Sequence, residues 1–223
     1  MDTVIFDMDG VLVDSEPVIM RAAAEALAAE GIQAGYADFE PYIGAGEEKF
    51  ITGPGRRAGK AEQIGAMMEM MYALYDKYVY QELKVYPSAP GLIRRLREAG
   101  YTLALVSSSN LNKLLVSLDA AGICKDSFDL ILSGSDVTRK KPDPEPYQKA
   151  AAGLNRVPER CLVIEDAVSG VTAAKAAGMH CAAVTASFPA KPLLAAGADY
   201  IMDDIQEVWD ILMSGQPRRG ELD

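Results

Sequence analysis

Apolar residues along this chain follow two spacings, and each spacing predicts a different secondary structure. Short continuous apolar runs predict buried strands, whereas apolar residues three or four positions apart predict amphipathic helices. Strands and helices alternate through most of the chain, which is typical of an α/β fold with a parallel sheet covered on both faces. The predicted strands are Val4–Phe6, Thr102–Val106, Leu130–Leu132, Cys161–Ile164, Cys181–Val184 and Asp199–Met202.

Alanine–glycine pairs recur where the predicted helices of the second half end. A glycine just past a helix end accepts the left-handed conformation that terminates the helix. These pairs therefore predict helix ends at Ala99-Gly100, Ala121-Gly122, Ala152-Gly153, Ala177-Gly178 and Ala196-Gly197.

The stretch from residue 17 to residue 84 lacks the strand pattern and is predicted to be helical. Glu16 and Pro17 begin an alanine-rich helix that runs to about Glu30 and stops at Gly31. Breaks are predicted at Gly44-Ala45-Gly46 and Gly53-Pro54-Gly55. A later helix has one predicted buried face, made by Ile64, Met67, Met68, Met71, Leu74, Tyr75 and Tyr78.

These patterns predict two domains. Residues 17–84 form an inserted helical cap, and residues 1–16 and 85–223 form the core, with residues 214–223 as a loose polar tail. The cap is expected to open and close over the core, with hinges near residues 14–17 and 84–87.

Composition and charge exclude several classes of partner. The chain has 223 residues, 49% of them hydrophobic, and a net charge of −10. Nucleic acids and anionic membranes favour basic surfaces, so we expect neither as a partner. Because no apolar run is long enough to cross a membrane and no basic leader precedes the first strand, we expect a cytoplasmic protein. We also expect a monomer whose partner is a small molecule.

Cysteine and histidine offer little chemistry. Cys124, Cys161 and Cys181 lack metal-ligand spacing and are expected to be buried free thiols. The single histidine, His180, opens an apolar stretch and is expected to be structural. Acid–base chemistry must therefore come from carboxylates, lysines or hydroxyls.

Two aspartates follow the first predicted strand. Asp7 and Asp9 come directly after Val4–Phe6, and Gly10 permits a tight turn. Two carboxylates in one small volume repel each other, so a cation is expected between them, and an oxygen-rich site favours Mg²⁺. A polar turn without function is the alternative. A calcium loop fits worse, because residues 11–13 are apolar.

Polar groups also follow three later strands, and parallel strands bring such ends to one edge of the sheet. Ser107-Ser108-Ser109-Asn110 offers hydroxyls and free N–H groups at a helix N-terminus, which suits either a phosphate or a simple helix cap. Lys141 precedes a rigid turn at Pro142. Glu165 and Asp166 end an apolar run, which is unusual without a counterion. Together these strand ends predict a metal and phosphate site.

The same segments resemble the four motifs of the haloacid dehalogenase superfamily, in order and over nearly the whole chain. They are Asp7-Met8-Asp9-Gly10-Val11, Ser107, Lys141-Pro142-Asp143-Pro144 and Glu165-Asp166. The resemblance implies a Rossmann-like, doubly wound parallel sheet, and the helical insert resembles the cap of the β-phosphoglucomutase and phosphoglycolate phosphatase type.

The resemblance also implies a role for each motif residue. Asp7 would be the nucleophile and Asp9 the general acid/base. Ser107, with its neighbour Ser108, and Lys141 would bind phosphate. Asp166 would bind Mg²⁺ together with Asp7 and the backbone carbonyl of Asp9, and Glu165 would hold Lys141 or a metal-bound water. The substrate is expected to contact Gly44, Ala45, Gly46 and Glu47 of the cap and Ser109 and Asn110 of the core.

A phosphatase that acts on a small phosphorylated metabolite is the favoured function. A carboxylate is ionised at neutral pH and can attack phosphorus without a base. A sugar phosphomutase is the alternative, but the histidine of similar mutases is missing near Ile19 and Met20, and Asn110 stands where they carry a lysine. A non-catalytic phosphate-binding protein is a further alternative, although every expected catalytic residue is present.

The cap has one dense basic cluster, made of Lys49, Arg56, Arg57 and Lys60. We expect these residues to form an exposed, solvated turn. A second anion-binding site is the alternative.

Overall fold

The structure is a computed structural model that describes residues 1–43 and 46–214. Its six-stranded sheet is parallel throughout. In spatial order the strands are β5 (Leu130–Leu132), β4 (Thr102–Val106), β1 (Thr3–Phe6), β6 (Cys161–Glu165), β7 (His180–Val184) and β8 (Tyr200–Met202). The predicted α/β fold with a doubly wound parallel sheet is thereby confirmed.

Helices cover both faces of this sheet because each central strand is apolar on both sides. In β1, Val4 and Phe6 point into one apolar layer and Ile5 into the other. The first layer is packed by α5 (Ser88–Glu98), α6 (Leu111–Ala120) and α10 (Glu207–Ser214). The second is packed by α7 (Glu145–Gly153), α8 (Val168–Ala176) and α9 (Ala190–Ala195).

The chain reverses its winding direction at β1. From β1 the strands first progress to β4 and β5 on one side, and β6 then returns to the other side of β1. A crevice forms at the carboxyl ends of the strands beside such a switch point, and ligands bind there in doubly wound sheets.

Four further helices pack against one another outside the sheet, and we call them the helical unit. They are α1 (Glu16–Ala29), α2 (Tyr36–Phe39), α3 (Lys49–Arg57) and α4 (Ile64–Glu82). Small residues on α1, such as Ala22, Ala23 and Ala26, are fully buried against the Met67, Met71 and Tyr75 side of α4. The helix predicted to begin at Glu16 is confirmed, and the predicted face of α4 is buried or half-buried along its length.

One predicted helix break and the predicted left-handed conformation of one glycine are wrong. Gly53-Pro54-Gly55 does not interrupt the chain but lies inside α3, where Gly53 makes room for the Tyr42 ring, since an added Cβ would lie 2.3 Å from the Tyr42 hydroxyl. Gly153 is the last residue of α7 rather than its left-handed terminator. Asn155, with φ of 53°, adopts that conformation instead, as asparagine tolerates it.

A two-stranded antiparallel ribbon was not predicted. It pairs β2 (Val13–Asp14) with β3 (Lys84–Val85), on either side of the helical unit. A 3.7 Å ion pair between Lys84 and Asp14 adds to it. The ribbon coincides with both expected hinges, but the domain boundaries and the hinge motion stay predictions.

Two of the three cysteines are buried, as predicted. Cys161 and Cys181 are buried free thiols, but Cys124 is exposed, because it lies in the turn between α6 and the next 3₁₀ turn, so its predicted burial is wrong. No helix in the described ranges is long and apolar enough to cross a membrane. Ser214 ends α10, and the rest of the predicted tail lies outside the described residues.

Candidate active site

The first strand and its neighbour at the switch point place three acids together. Asp7 follows β1, Glu165 ends β6, and Asp166 comes next. One carboxylate oxygen from each lies within 4.8 Å of the others, and all three residues are buried. This acidic cluster is compatible with a bound metal ion, because hard carboxylate oxygens are the ligands that Mg²⁺ and Ca²⁺ prefer.

Gly10 lets Asp166 approach the loop after β1. An added Cβ at Gly10 would lie 1.9 Å from Asp166 Oδ2, and the residue also has a φ of +81°. Any other side chain here would displace the carboxylate or strain the backbone. The Ser187 hydroxyl donates a hydrogen bond to the same Asp166 oxygen.

Burial and repulsion from neighbouring carboxylates make it costly for Asp7 and Asp166 to be charged together. Burial, opposed by Lys141 and reinforced by the Glu165 and Asp9 carboxylates, raises the pKa of Asp7 to about 7. Burial, followed by the Glu165 and Asp7 charges, also raises the pKa of Asp166 well above its ordinary value. A cation held between these oxygens would offset the repulsion.

Lys141 forms ion pairs with both Asp7, the candidate nucleophile, and Glu165. Its Nζ donates to Asp7 Oδ1 at 2.6 Å, to Glu165 Oε1 at 2.7 Å and to the Val106 carbonyl at 3.1 Å. Although burial favours the neutral amine, the Asp7 and Glu165 carboxylates raise the pKa of Lys141 above its ordinary value. The lysine is therefore a fixed positive charge beside Asp7.

Glu165 has little capacity left for a metal ion. Its Oε1 also accepts the Tyr147 hydroxyl at 2.8 Å, and its Oε2 accepts the backbone N–H groups of Asp166 and Ala167 at 3.0 and 3.1 Å. Gly170 of α8 leaves the room that this side chain fills. Contacts of this kind suit a residue that holds Lys141.

A second buried lysine, Lys113 on α6, lies beside Asp9. Its Nζ is 2.9 Å from Asp9 Oδ1, 3.1 Å from Glu47 Oε2, 3.1 Å from Ser15 Oγ and 3.0 Å from Ser109 Oγ. Burial would raise the pKa of Asp9, but Lys113, Ser15 and Ser109 together hold it below its ordinary value. The sequence reading missed this residue.

The signal for Lys113 was present in the pattern of α6. Lys113, Leu114, Ser117 and Leu118 are its buried residues, while Leu111 is exposed. Lys113 and Ser117 are therefore polar residues one turn apart on a buried face, which is uncommon without polar partners.

One cavity opens between the sheet edge and the helical unit. Of the sequence-predicted site residues, it is lined by Asp7, Asp9, Gly46, Glu47, Ser108, Ser109, Lys141, Glu165 and Asp166. Further lining residues that were not predicted include Ser15, Glu16, Ile19, Tyr42, Phe50, Lys113, Lys140, Ser169 and Ser187.

Other predicted residues lie elsewhere. Ser107 is buried behind the cavity, where its hydroxyl accepts the Ser109 N–H at 3.1 Å. Asn110 caps α6 by accepting the Lys113 N–H at 2.8 Å, which is the structural alternative considered for it. Gly44 and Ala45 lie outside the described residues.

The basic cluster of the helical unit does not line the cavity. Lys49, Arg56 and Arg57 are exposed on α3, and Arg57 donates to the Tyr42 hydroxyl. Lys60 lies 3.7 Å from Glu30. Three of the four residues are exposed as predicted, but they lie on a helix rather than in a turn, and Lys60 is half-buried.

Fold and site together define an α/β protein with a helical insertion and a buried acidic cluster at the switch point of its parallel sheet. The chain belongs to the haloacid dehalogenase-like hydrolase family, whose model matches residues 1–178. The resemblance seen in the four motifs is thereby confirmed.

Individual relatives agree with this assignment. The chain is 36% identical over 220 residues to the protein SUPPRESSOR OF QUENCHING 1, chloroplastic, of Arabidopsis thaliana, covering 96% of this chain but 21% of that protein. It is 31% identical over 182 residues to a phosphoglycolate phosphatase of Nitrosospira multiformis, covering 79% of this chain and 80% of the relative. The expected cytoplasmic location stays a prediction.

Solved structures share the fold over almost the full chain. The crystal structure of CbbY from Rhodobacter sphaeroides in complex with phosphate superposes with a TM-score of 0.80 at 25% identity, covering 93% of this chain and 96% of the other.

Proposed function

We propose that this chain hydrolyses phosphate monoesters of small metabolites through an aspartyl-phosphate on Asp7, with Mg²⁺ as cofactor. The observation that carries the proposal is the position of Asp7 at the switch point, 2.6 Å from the buried Lys141 ammonium and beside Asp166. Relatives named phosphatases support it.

Catalysis begins at the Asp7 carboxylate. One of its oxygens attacks phosphorus, and the bond from phosphorus to the leaving oxygen breaks as the new bond forms. Lys141 offsets the negative charge of the phosphate oxygens, which is the main obstacle to attack by an anion. Ser108 and Ser109, with the N–H groups at the start of α6, are proposed to orient the phosphate.

Asp9 supplies the protons. Because its lowered pKa leaves Asp9 ionised beforehand, the ester is proposed to enter as its monoanion, whose proton passes through Asp9 to the leaving oxygen. Asp9 then accepts a proton from the water that attacks the aspartyl-phosphate and passes it to the departing inorganic phosphate, which regenerates both aspartates. General acid–base catalysis of this kind is worth roughly 10² to 10⁴ in rate.

The donor set fits Mg²⁺. Side-chain oxygens of Asp7 and Asp166 and the Asp9 carbonyl would hold it, and the raised pKa values of the two buried acids indicate a site short of positive charge. When bound, the ion would supply the charge that keeps Asp7 ionised and polarises the phosphate. Glu165 is proposed to hold Lys141 instead.

The helical unit is proposed to be a cap, residues 17–84, that moves over a core of residues 1–16 and 85–223. Two ion pairs join the loop before α3 to the core, from Glu47 to Lys113 at 3.1 Å and from Glu48 to Lys140 at 2.8 Å. These two contacts hold the helical unit against the core, and Gly46 and Glu47 would face the substrate.

A phosphomutase is less well supported. The cavity wall of α1 presents the apolar Ile19 where similar mutases carry a histidine, and Asn110 caps a helix instead of facing the cavity. A non-catalytic phosphate-binding role has no observation in its favour.

Phosphate release from p-nitrophenyl phosphate tests the proposal. Hydrolysis should require Mg²⁺, cease with EDTA and return when Mg²⁺ is added in excess. Activity that persists in EDTA would contradict the proposed cofactor. Conversion of β-glucose 1-phosphate into another sugar phosphate, without phosphate release, would favour the mutase.

A further inference from the structure

The part of the cavity wall that the helical unit contributes carries acidic side chains. The helical unit contributes Glu16, Ile19, Tyr42, Gly46, Glu47 and Phe50 to the lining. Two of these residues are acids, and within the described ranges none is basic. In the proposed reaction, the group that leaves with the ester oxygen would occupy this side.

The nearest cation on this side is fully engaged. An ammonium group has three hydrogen atoms to donate. Lys113 Nζ already has four acceptors within 3.1 Å, on Asp9, Ser15, Ser109 and Glu47. With a side chain only 2% exposed, Lys113 can bind a substrate anion only by losing one of these contacts.

The other lysines of the cavity are also paired. Lys141 lies between Asp7 and Glu165 on the phosphate side, and Lys140 lies 2.8 Å from Glu48 near the surface. A carboxylate or second phosphate on the leaving group would therefore meet Glu47, while each of the three lysines that line the described part of the cavity is already paired with a carboxylate.

Glu47 is suited to receive a hydroxyl group. Its Oε2 lies 2.8 Å from Ser109 Oγ, and its Oε1 accepts the Tyr72 hydroxyl at 3.1 Å. A carboxylate oxygen can accept more than one hydrogen bond but donates none, so Oε1 retains capacity for a further donor. The side chain is anchored by Lys113 and is only 10% exposed, which fixes its position.

We propose that Glu47 is a specificity-determining residue that selects phosphate monoesters with a neutral, hydroxyl-bearing leaving group and excludes those with a second negative charge. This inference rests on the proposed phosphatase function and names its substrate class. It separates this chain from the phosphoglycolate phosphatases among its relatives, since the leaving group of phosphoglycolate carries a carboxylate.

Two substrates that differ in one group provide the test. 2-Hydroxyethyl phosphate and 2-phosphoglycolate have the same length, but the first ends in a hydroxymethyl group and the second in a carboxylate. The wild type should hydrolyse the hydroxyl substrate with a kcat/KM at least about tenfold higher, the size expected for one like charge at a partly hydrated site. An equal or higher kcat/KM for 2-phosphoglycolate would overturn the inference.

Charge removal at Glu47 should shrink this preference. In Glu47→Gln and Glu47→Ala, the ratio of the two kcat/KM values should fall about tenfold. Glu69→Gln removes one exposed glutamate from α4 of the same helical unit and should leave the ratio unchanged. A ratio, unlike an absolute rate, does not respond to a partly unfolded preparation.

The outcomes distinguish this inference from the proposed function. If the wild type fails to hydrolyse p-nitrophenyl phosphate with Mg²⁺, both are wrong. If it hydrolyses p-nitrophenyl phosphate but the ratio is the same in the wild type and in both Glu47 variants, the phosphatase function stands and the role of Glu47 is wrong.

Discussion

Two buried lysines organise the two sides of the cavity, and each lies between two carboxylates. Lys141 Nζ lies 2.6 and 2.7 Å from Asp7 and Glu165, and Lys113 Nζ lies 2.9 and 3.1 Å from Asp9 and Glu47. The clusters differ in origin. All parts of the Lys141 cluster come from the sheet and its loops, whereas Glu47 of the Lys113 cluster comes from the helical unit.

The difference assigns separate tasks to the two sides. The Lys141 cluster takes no carboxylate from the helical unit, which suits the nucleophile and the phosphate. The Lys113 cluster joins the acid/base candidate Asp9 to Glu47 of the helical unit, so it links the two parts of the cavity wall. Asp7 and Asp9 also have opposite pKa shifts, upward for Asp7 and downward for Asp9.

Loss of the proposed nucleophile should have the largest effect. Asp7→Asn keeps the size of the side chain but removes the attacking oxygen's charge, so kcat for p-nitrophenyl phosphate should fall by a factor on the order of 10⁴ or more. Phosphate release measured with excess Mg²⁺ checks this. Asp210→Asn, on the exposed side of α10, should retain wild-type kcat.

Lys141→Met should impair activity and stability together. The change leaves the buried Asp7 and Glu165 without their cation, and breaking a buried ion pair costs about 3 to 5 kcal/mol. The free energy of unfolding from urea titration should fall by that order, and kcat by a factor of about 10² or more. Unchanged stability would indicate that Glu165 does not depend on Lys141.

Lys113→Met should act on Asp9 and on closure. Since Lys113 positions Asp9 without contacting phosphorus, kcat/KM should fall by about tenfold, less than for Lys141→Met. The exposed Lys191→Met is the matched control. A double-mutant cycle with Glu47→Gln should give a non-additive effect on kcat/KM, because the two residues share one ion pair. Additive effects would mean that the two sides are not coupled through this contact.

Glu145 should have the smallest effect of these residues, and that effect should be a pH-dependent contribution to stability. This carboxylate accepts the N–H groups of Thr138 and Arg139 ahead of Lys141, which together with Lys149 lowers its pKa from 4.5 to about 2. Because the pKa of Glu145 is lower in the folded than in the unfolded protein, the ionised carboxylate stabilises the fold at pH values above the unfolded pKa. This stabilisation is lost as the pH falls from 4.5 to about 2. The Tm of the wild type should exceed that of Glu145→Gln at pH 6, and the difference should vanish toward pH 2. A pH-independent difference would contradict this account.

The sheet side of the molecule was predictable from the sequence, and the helical side much less so. Asp7 and Glu165 stand directly after buried apolar runs, where a charged residue is conspicuous, and parallel strands bring such ends together. Lys113 lies within a helix, where a lysine is ordinarily solvated, and only its spacing from Ser117 and Leu118 gave a signal. Its partner Glu47 meets it through tertiary packing that no local pattern encodes.

Short elements were missed for a related reason. Strands β2 and β3 have two residues each and pair across 70 positions of sequence, so neither has a period to detect. The sequence Gly53-Pro54-Gly55 predicts a break, yet packing against Tyr42 and Met67 keeps these residues in α3. In both cases tertiary contacts overrode local propensity.

Direct detection of a phosphorylated Asp7 is the measurement that tests the central claim. The enzyme is acid-quenched during turnover of p-nitrophenyl phosphate with Mg²⁺, digested and analysed by mass spectrometry. We expect one added phosphoryl group on the peptide that contains Asp7, and none on the same peptide from Asp7→Asn. A label on a different residue, or continued turnover by Asp7→Asn, would contradict the account.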